Sequence, residues 1–164
     1  MSIRKEVRVF APATVANVAI GYDILGFAIS RPGDEIVARF NPELKGLKIT
    51  AITGTGDKVL PYDVELNTAG VAAQRLLEHL GKSNVGIEME VHKRMPFGSG
   101  LGSSAASAAG AVVAINELLG APLSRESLLY FTVLGEVVAD GSFHADNVAP
   151  CLVGGITLIR SNES

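Results

Sequence analysis

Apolar residues at Val85, Ile87, Met89 and Val91 alternate with Gly86, Glu88, Glu90 and His92. A period of two sends alternate side chains to opposite faces of a pleated ribbon, so this stretch predicts a strand with one face on the core. Val7 and Val9 between Glu6 and Arg8 predict a first strand running to about Phe10, and Gly46 to Thr53 alternates in the same way. Ile24 to Ile29 and Glu35 to Phe40 predict two more strands, separated by a turn at Arg31-Pro32-Gly33-Asp34. The period changes to a helical one over Asn67 to Leu80, with Gly81 as the breaker, and again over Ser104 to Leu119, closed by Gly120 and Pro122. Ser124 is placed to cap a third helix from Arg125 to about Ala139. An irregular segment around His144 and a short strand from Gly155 to Arg160 complete the chain. These elements predict one α+β domain of two layers, a mixed sheet with helices on one face.

Composition narrows the function classes. The 164 residues are 48% hydrophobic, enough for one domain with a substantial core. A formal charge of -3 without a basic stripe argues against a nucleic-acid partner. Cys151 is the only cysteine and fits a reducing, cytoplasmic setting. His79, His92 and His144 show no zinc-ligand spacing. The longest charge-free stretch, between Arg94 and Glu117, is mostly Gly, Ser and Ala, which gain too little on leaving water to predict a membrane span. The N-terminus lacks the apolar core of a secretory signal.

The segment PFGSGLGSSAASAAG, Pro96 to Gly110, follows the clearest strand and opens the second helix. A glycine-rich turn in that position can aim several backbone N–H groups at an anion, with the helix N-terminus adding a favourable field. A hydroxyl from Ser103 or Ser104 could reach Mg²⁺ or a phosphate oxygen. Helix-start chemistry combined with tight packing of Ala105, Ala106, Ala109 and Gly110 accounts for the same residues equally well. The Walker pattern is absent, because no lysine follows Gly102. A dinucleotide fingerprint fits poorly, since Gly98 to Ser103 lacks the third glycine and Leu118 and Leu119 stand where an acidic ribose partner belongs.

Three separated motifs together resemble homoserine kinase, within the small-molecule kinase superfamily that also contains galactokinase and mevalonate kinase. They are PATVANVAIGYDILGFA at Pro12 to Ala28, PFGSGLGSSAAS at Pro96 to Ser107, and FHADNVAPCLVGG at Phe143 to Gly155. The middle motif resembles the whole superfamily, and the outer two resemble homoserine kinase within it. The fold this implies is the superfamily's N-terminal domain, of the ribosomal protein S5 domain 2-like type.

The resemblance implies roles residue by residue. Gly98, Ser99, Gly100, Leu101, Gly102, Ser103 and Ser104 would surround the ATP phosphates. Ser104 and Glu136 would hold Mg²⁺, a cation that prefers hard oxygen ligands. Asn67 matches a position near the adenine, with helix capping before Thr68 as the rival reading. Asn17, Asp23, His144 and Asn147 would contact L-homoserine, whose hydroxyl would be phosphorylated to O-phospho-L-homoserine in threonine biosynthesis. Asn147 stands where related kinases have an aspartate base, so no catalytic base is assigned, and positioning and charge neutralisation are expected to supply the rate. Two alternatives remain open: another kinase of the superfamily, and a non-catalytic nucleotide-binding module.

The chain departs from the family pattern at several points. Ala19, Ile20, Gly21 and Tyr22 replace a Gly-Pro-Gly-Phe-like turn, and Ala145 replaces a proline. Family members are about twice as long. The expectation is therefore that residues 1–164 form the N-terminal ATP-binding domain or most of it, that a C-terminal domain lies outside the chain, and that this chain alone has little or no activity. A homodimer of the longer protein stays open.

Overall fold

The computed structural model describes residues 4–18, 20–96, 98–141 and 145–161. Two long strands, β1 (Glu6–Val18) and β2 (Gly21–Phe40), form an antiparallel hairpin that is the spine of the domain. β3 (Leu47–Thr53) leads to helix α1 (Thr68–His79) and back to β4 (Ile87–His92), which lies between β2 and β3, antiparallel to the first and parallel to the second. The sheet order is β1-β2-β4-β3, with the short β5 (Ile156–Leu158) on the far part of β2. Helices α2 (Ser103–Leu118), α3 (Leu129–Asp140) and α4 (Val148–Val153) complete the elements. The arrangement is the mixed sheet with helices expected from the sequence.

The core follows the strand pattern. Ile87, Met89 and Val91 are buried beside Ile36 and Ala38 of β2, and α1 turns Ala69, Ala72, Ala73, Leu76 and Leu77 inward. On the other face of the sheet Arg39 bridges Glu6 and Glu90, and Arg8 pairs with Glu35 at 2.6 Å. α2 is buried almost all round, because it lies between the sheet and helices α1 and α3. Its small residues permit this closeness: a side chain at Gly110 would meet Ile36 Cγ1 at 2.6 Å. The packing reading of the alanine-rich segment therefore holds.

Three expectations needed correction. Arg31 to Asp34 does not end a strand; β2 runs through it, with Gly33 opposite Pro12 and Asp34 opposite Ala11. The turn residues are accommodated by a register shift between Pro12 and Thr14, which lets the hairpin bend and continue. The first strand likewise extends to Val18, because the ladder with β2 overrides the poor strand propensity of Pro12-Ala13. Residues 148–153, expected to be irregular, form α4, where Val148, Ala149, Cys151 and Leu152 are buried. Among the described residues no helix is long and apolar enough to cross a membrane.

Candidate functional site

A cleft of ≈ 240 Å³ opens at the N-terminus of α2. Gly98 to Ser104 form one wall, Leu60, Pro61 and Leu66 with the start of α1 form the other, and Val91 of β4, Lys93 just past it and Ser107 of α2 also line it. Gly98, Gly100 and Gly102 have φ of 69°, 71° and 63°. That left-handed conformation is strained for other residues, which explains why glycine recurs at every second position. Gly102 is also the N-cap of α2 and brings no side chain to satisfy the first-turn N–H groups. At the N-terminus of α1, in contrast, Asn67 Oδ1 accepts from the N–H groups of Ala69 and Gly70 at 3.0 and 3.3 Å. One helix thus carries its own cap, while the other presents its backbone donors and its positive end to the cleft.

The capping reading of Asn67 is what the geometry shows. Its amide nitrogen donates to Pro61 O at 2.8 Å, and the buried residue still lines the cleft. Ser104 Oγ donates to Thr68 Oγ1 at 3.3 Å, so the first turns of α2 and α1 touch. Glu136 lies on α3, brought close by Gly135: a Cβ there would stand 2.7 Å from Thr68 O and 3.1 Å from the Ala108 side chain. The half-buried Glu136 carboxylate acts electrostatically on Lys93 and on the buried Cys151, so its field reaches the base of the cleft. Burial pushes the Cys151 thiol up to about 12, with the negative charges of Asp34 and Glu136 adding to the effect.

Sequence reasoning sought a lysine after the loop and missed the one before it. Lys93, just past β4, places Nζ 2.5 Å from Asp34 Oδ2, 2.7 Å from Ser103 O and 2.6 Å from Ser107 Oγ. Asp34 is fully buried and also accepts from Arg94 N at 2.7 Å and from Ser103 Oγ at 3.1 Å. Ser103 therefore turns its hydroxyl toward Asp34. The available signal was the charged pair itself, an aspartate and a lysine at the ends of two expected strands, which the structure makes neighbours.

On the other side of the loop the first and third motifs converge. Asn17 and Asp23 flank the tip of the β1–β2 hairpin, both with left-handed backbones (φ 59° and 56°), and Asn17 Oδ1 accepts from Asp23 N at 2.9 Å. Asn147 precedes α4 and accepts a hydrogen bond from Thr14 at 2.8 Å. Asp146 is buried, its Oδ1 accepting from Asn147 N at 3.0 Å and its carbonyl lying where a side chain at Gly26 would be. It orders the turn. His144 lies outside the described residues.

The family model for the N-terminal domain of GHMP kinases matches residues 67–155. A homoserine kinase from Chlorobium phaeobacteroides is 49% identical over 165 residues, which cover 96% of this chain and 51% of that protein. One from Methanococcus vannielii is 45% identical over 159 residues, covering 97% and 52%. The crystal structure of homoserine kinase from Cytophaga hutchinsonii superposes with a TM-score of 0.92 at 53% identity, over 98% of this chain and 50% of that one. The mevalonate kinase of Methanococcus jannaschii, at 17% identity over 96% of this chain and 54% of its own, shares the fold with a TM-score of 0.75. The chain spans about half the length of the curated relatives it matches.

Proposed function

This chain belongs to the GHMP kinase family, and from that premise we propose that it is the nucleotide-binding part of a homoserine kinase, transferring the γ-phosphoryl group of ATP to the hydroxyl of L-homoserine. The products are O-phospho-L-homoserine and ADP. The observation that carries the reading is the uncapped N-terminus of α2 behind three left-handed glycines, a cradle of backbone donors suited to a polyphosphate. The similarity at 45–53% identity to proteins called homoserine kinase supports homoserine as the acceptor.

The residues divide the work. Backbone N–H groups from Gly98 to Ser104 would bind the phosphates, and the start of α1 at Asn67 with Pro61 and Leu66, which line the same cleft, would face the adenine. Ser104 and Glu136 offer a hydroxyl and a carboxylate, hard oxygens of the kind Mg²⁺ takes, and phosphate oxygens and water would complete such a set. When bound, Mg²⁺ would neutralise charge on the transferred phosphoryl group. Asn17, Asp23, His144 and Asn147 orient homoserine. Asn147 carries an amide, which is no proton acceptor at neutral pH, so alignment of the hydroxyl with the phosphorus replaces a dedicated base. The full-length enzyme works in the cytoplasm.

The test is Mg²⁺-dependent formation of O-phosphohomoserine by the full-length protein, with Glu136→Gln alongside. Turnover that Glu136→Gln abolishes supports both the acceptor and the metal role. ATP binding with no phosphorylation of homoserine overturns the acceptor, and mevalonate, shikimate and sugars then identify another. Full activity in Glu136→Gln removes Glu136 from the metal site.

A further inference from the structure

Thr14, in the first motif, touches the other two at once. It is fully buried, its backbone N donates to Leu101 O at 3.1 Å, and its Oγ1 donates to Asn147 Oδ1 at 2.8 Å. A Cβ at Gly102 would stand 2.1 Å from Thr14 Oγ1 and 2.9 Å from Asn147 Oδ1. The hydroxyl, the amide and the last glycine of the cradle are thus packed directly on one another. Thr14 resumes the ladder, opposite Ala28, after the register shift whose extra residues lie on β2.

A primary amide has two unlike ends, and turning it over exchanges an acceptor for a pair of donors. A threonine hydroxyl that donates to Oδ1 leaves the NH₂ end as the one directed elsewhere. Against the cradle, the NH₂ end suits oxygens with lone pairs to offer, as the homoserine hydroxyl and the charged phosphoryl oxygens have. We propose that Thr14 is a positioning residue: by donating to Asn147 Oδ1 it holds the amide with its NH₂ toward the reacting oxygens. This rests on the kinase reading above. Thr14 is closed to solvent, so its effect passes through Asn147.

Valine and serine at position 14 separate this role from a packing role. Thr14→Val keeps the volume and loses the hydroxyl, whereas Thr14→Ser keeps the hydroxyl and loses a buried methyl group. In the full-length protein, kcat for homoserine phosphorylation is expected to fall by on the order of 10²-fold in Thr14→Val, the loss typical of a misplaced reacting geometry. KM for ATP and for homoserine should stay close to those of the unmodified protein. Thr14→Ser should keep kcat while melting at a lower temperature, so activity and stability rank differently. Thr14→Ala, which imposes no new contact, must lose kcat as Thr14→Val does and serves in its place if the valine protein does not fold. Unchanged kcat in the valine or alanine protein, or an equal loss in Thr14→Ser, overturns the inference and leaves the kinase reading intact. Absence of O-phosphohomoserine with the unmodified protein overturns both.

Discussion

Nζ of Lys93 lies 2.5 Å from Oδ2 of Asp34, and both side chains are closed to solvent, at 3% and 0% exposure. The same ammonium group donates to the carbonyl of Ser103, and the same carboxylate accepts from its hydroxyl. A buried ion pair therefore clamps the first residue of α2, the helix whose N-terminus faces the cleft. Burial lowers the affinity of Lys93 for its proton, and the negative charge of Asp34 opposes that shift. Removing one partner strands the other charge in the interior. Lys93→Met should cost about 3–5 kcal/mol in urea unfolding, and Asp34→Asn added to it should recover a large share. Additive losses in the double variant would show that the pair is not coupled.

Glycines of the cradle should differ sharply in tolerance. A methyl group at Gly98 meets nothing within 4 Å, so Gly98→Ala carries only left-handed backbone strain of about 1–2 kcal/mol. Gly102→Ala adds a collision with Thr14 and Asn147. ATP titration of the two variants should show binding retained in the first and lost or greatly weakened in the second. Equal affinities would argue against Gly102 as the tight point of the loop.

Gly135→Ala tests how α3 presents Glu136. The new methyl would press on Thr68 O, Ala72 and Ala108, forcing helices apart at a cost of about 1–3 kcal/mol. The Mg²⁺ concentration for half-maximal turnover of the full-length protein should rise, with KM for homoserine little changed. An unaltered Mg²⁺ dependence would separate the helix packing from the metal role.

Arg39 gives the sheet an acid-sensitive contact. It bridges Glu6 and Glu90 across three strands, and its hydrogen bond holds the Glu90 carboxyl below the usual carboxylate range. A carboxylate with a depressed native pKa stabilises the fold above the unfolded value of about 4.3, and that contribution disappears as pH falls through the native value. Arg39→Met should therefore unfold at lower urea than the unmodified chain at pH 7, and the gap should narrow as pH drops below about 4. A constant gap across that range would assign the effect of Arg39 to packing.

The alternation from Val85 to His92 was enough to specify β4, because a half-buried strand leaves its period in the residues that face the core. Helix α1 was legible for the same reason, through Val71, Leu77 and Leu80 and its glycine stop. The Arg31 to Asp34 stretch misled, since local turn chemistry was outweighed by a ladder with Pro12 and Ala11 that no local window contains. α4 was missed because six residues are too few to display a helical period.

The glycine loop was legible as a turn that could bind phosphate or simply pack a helix, and only the resemblance of the three motifs to homoserine kinase gave it, Glu136 and the outer motifs roles in nucleotide chemistry. What the sequence by itself determined was therefore most of the elements and the residue types proposed to bind phosphate, metal and an amino acid. Only the tertiary structure decided that α2 is left uncapped while Asn67 caps α1, that Lys93 and Asp34 pair beneath the loop, and that Thr14 meets Asn147 across a separation of 133 residues. Those are contacts between positions far apart in the chain. They depend on strand register and helix packing, which no spacing along a single sequence encodes.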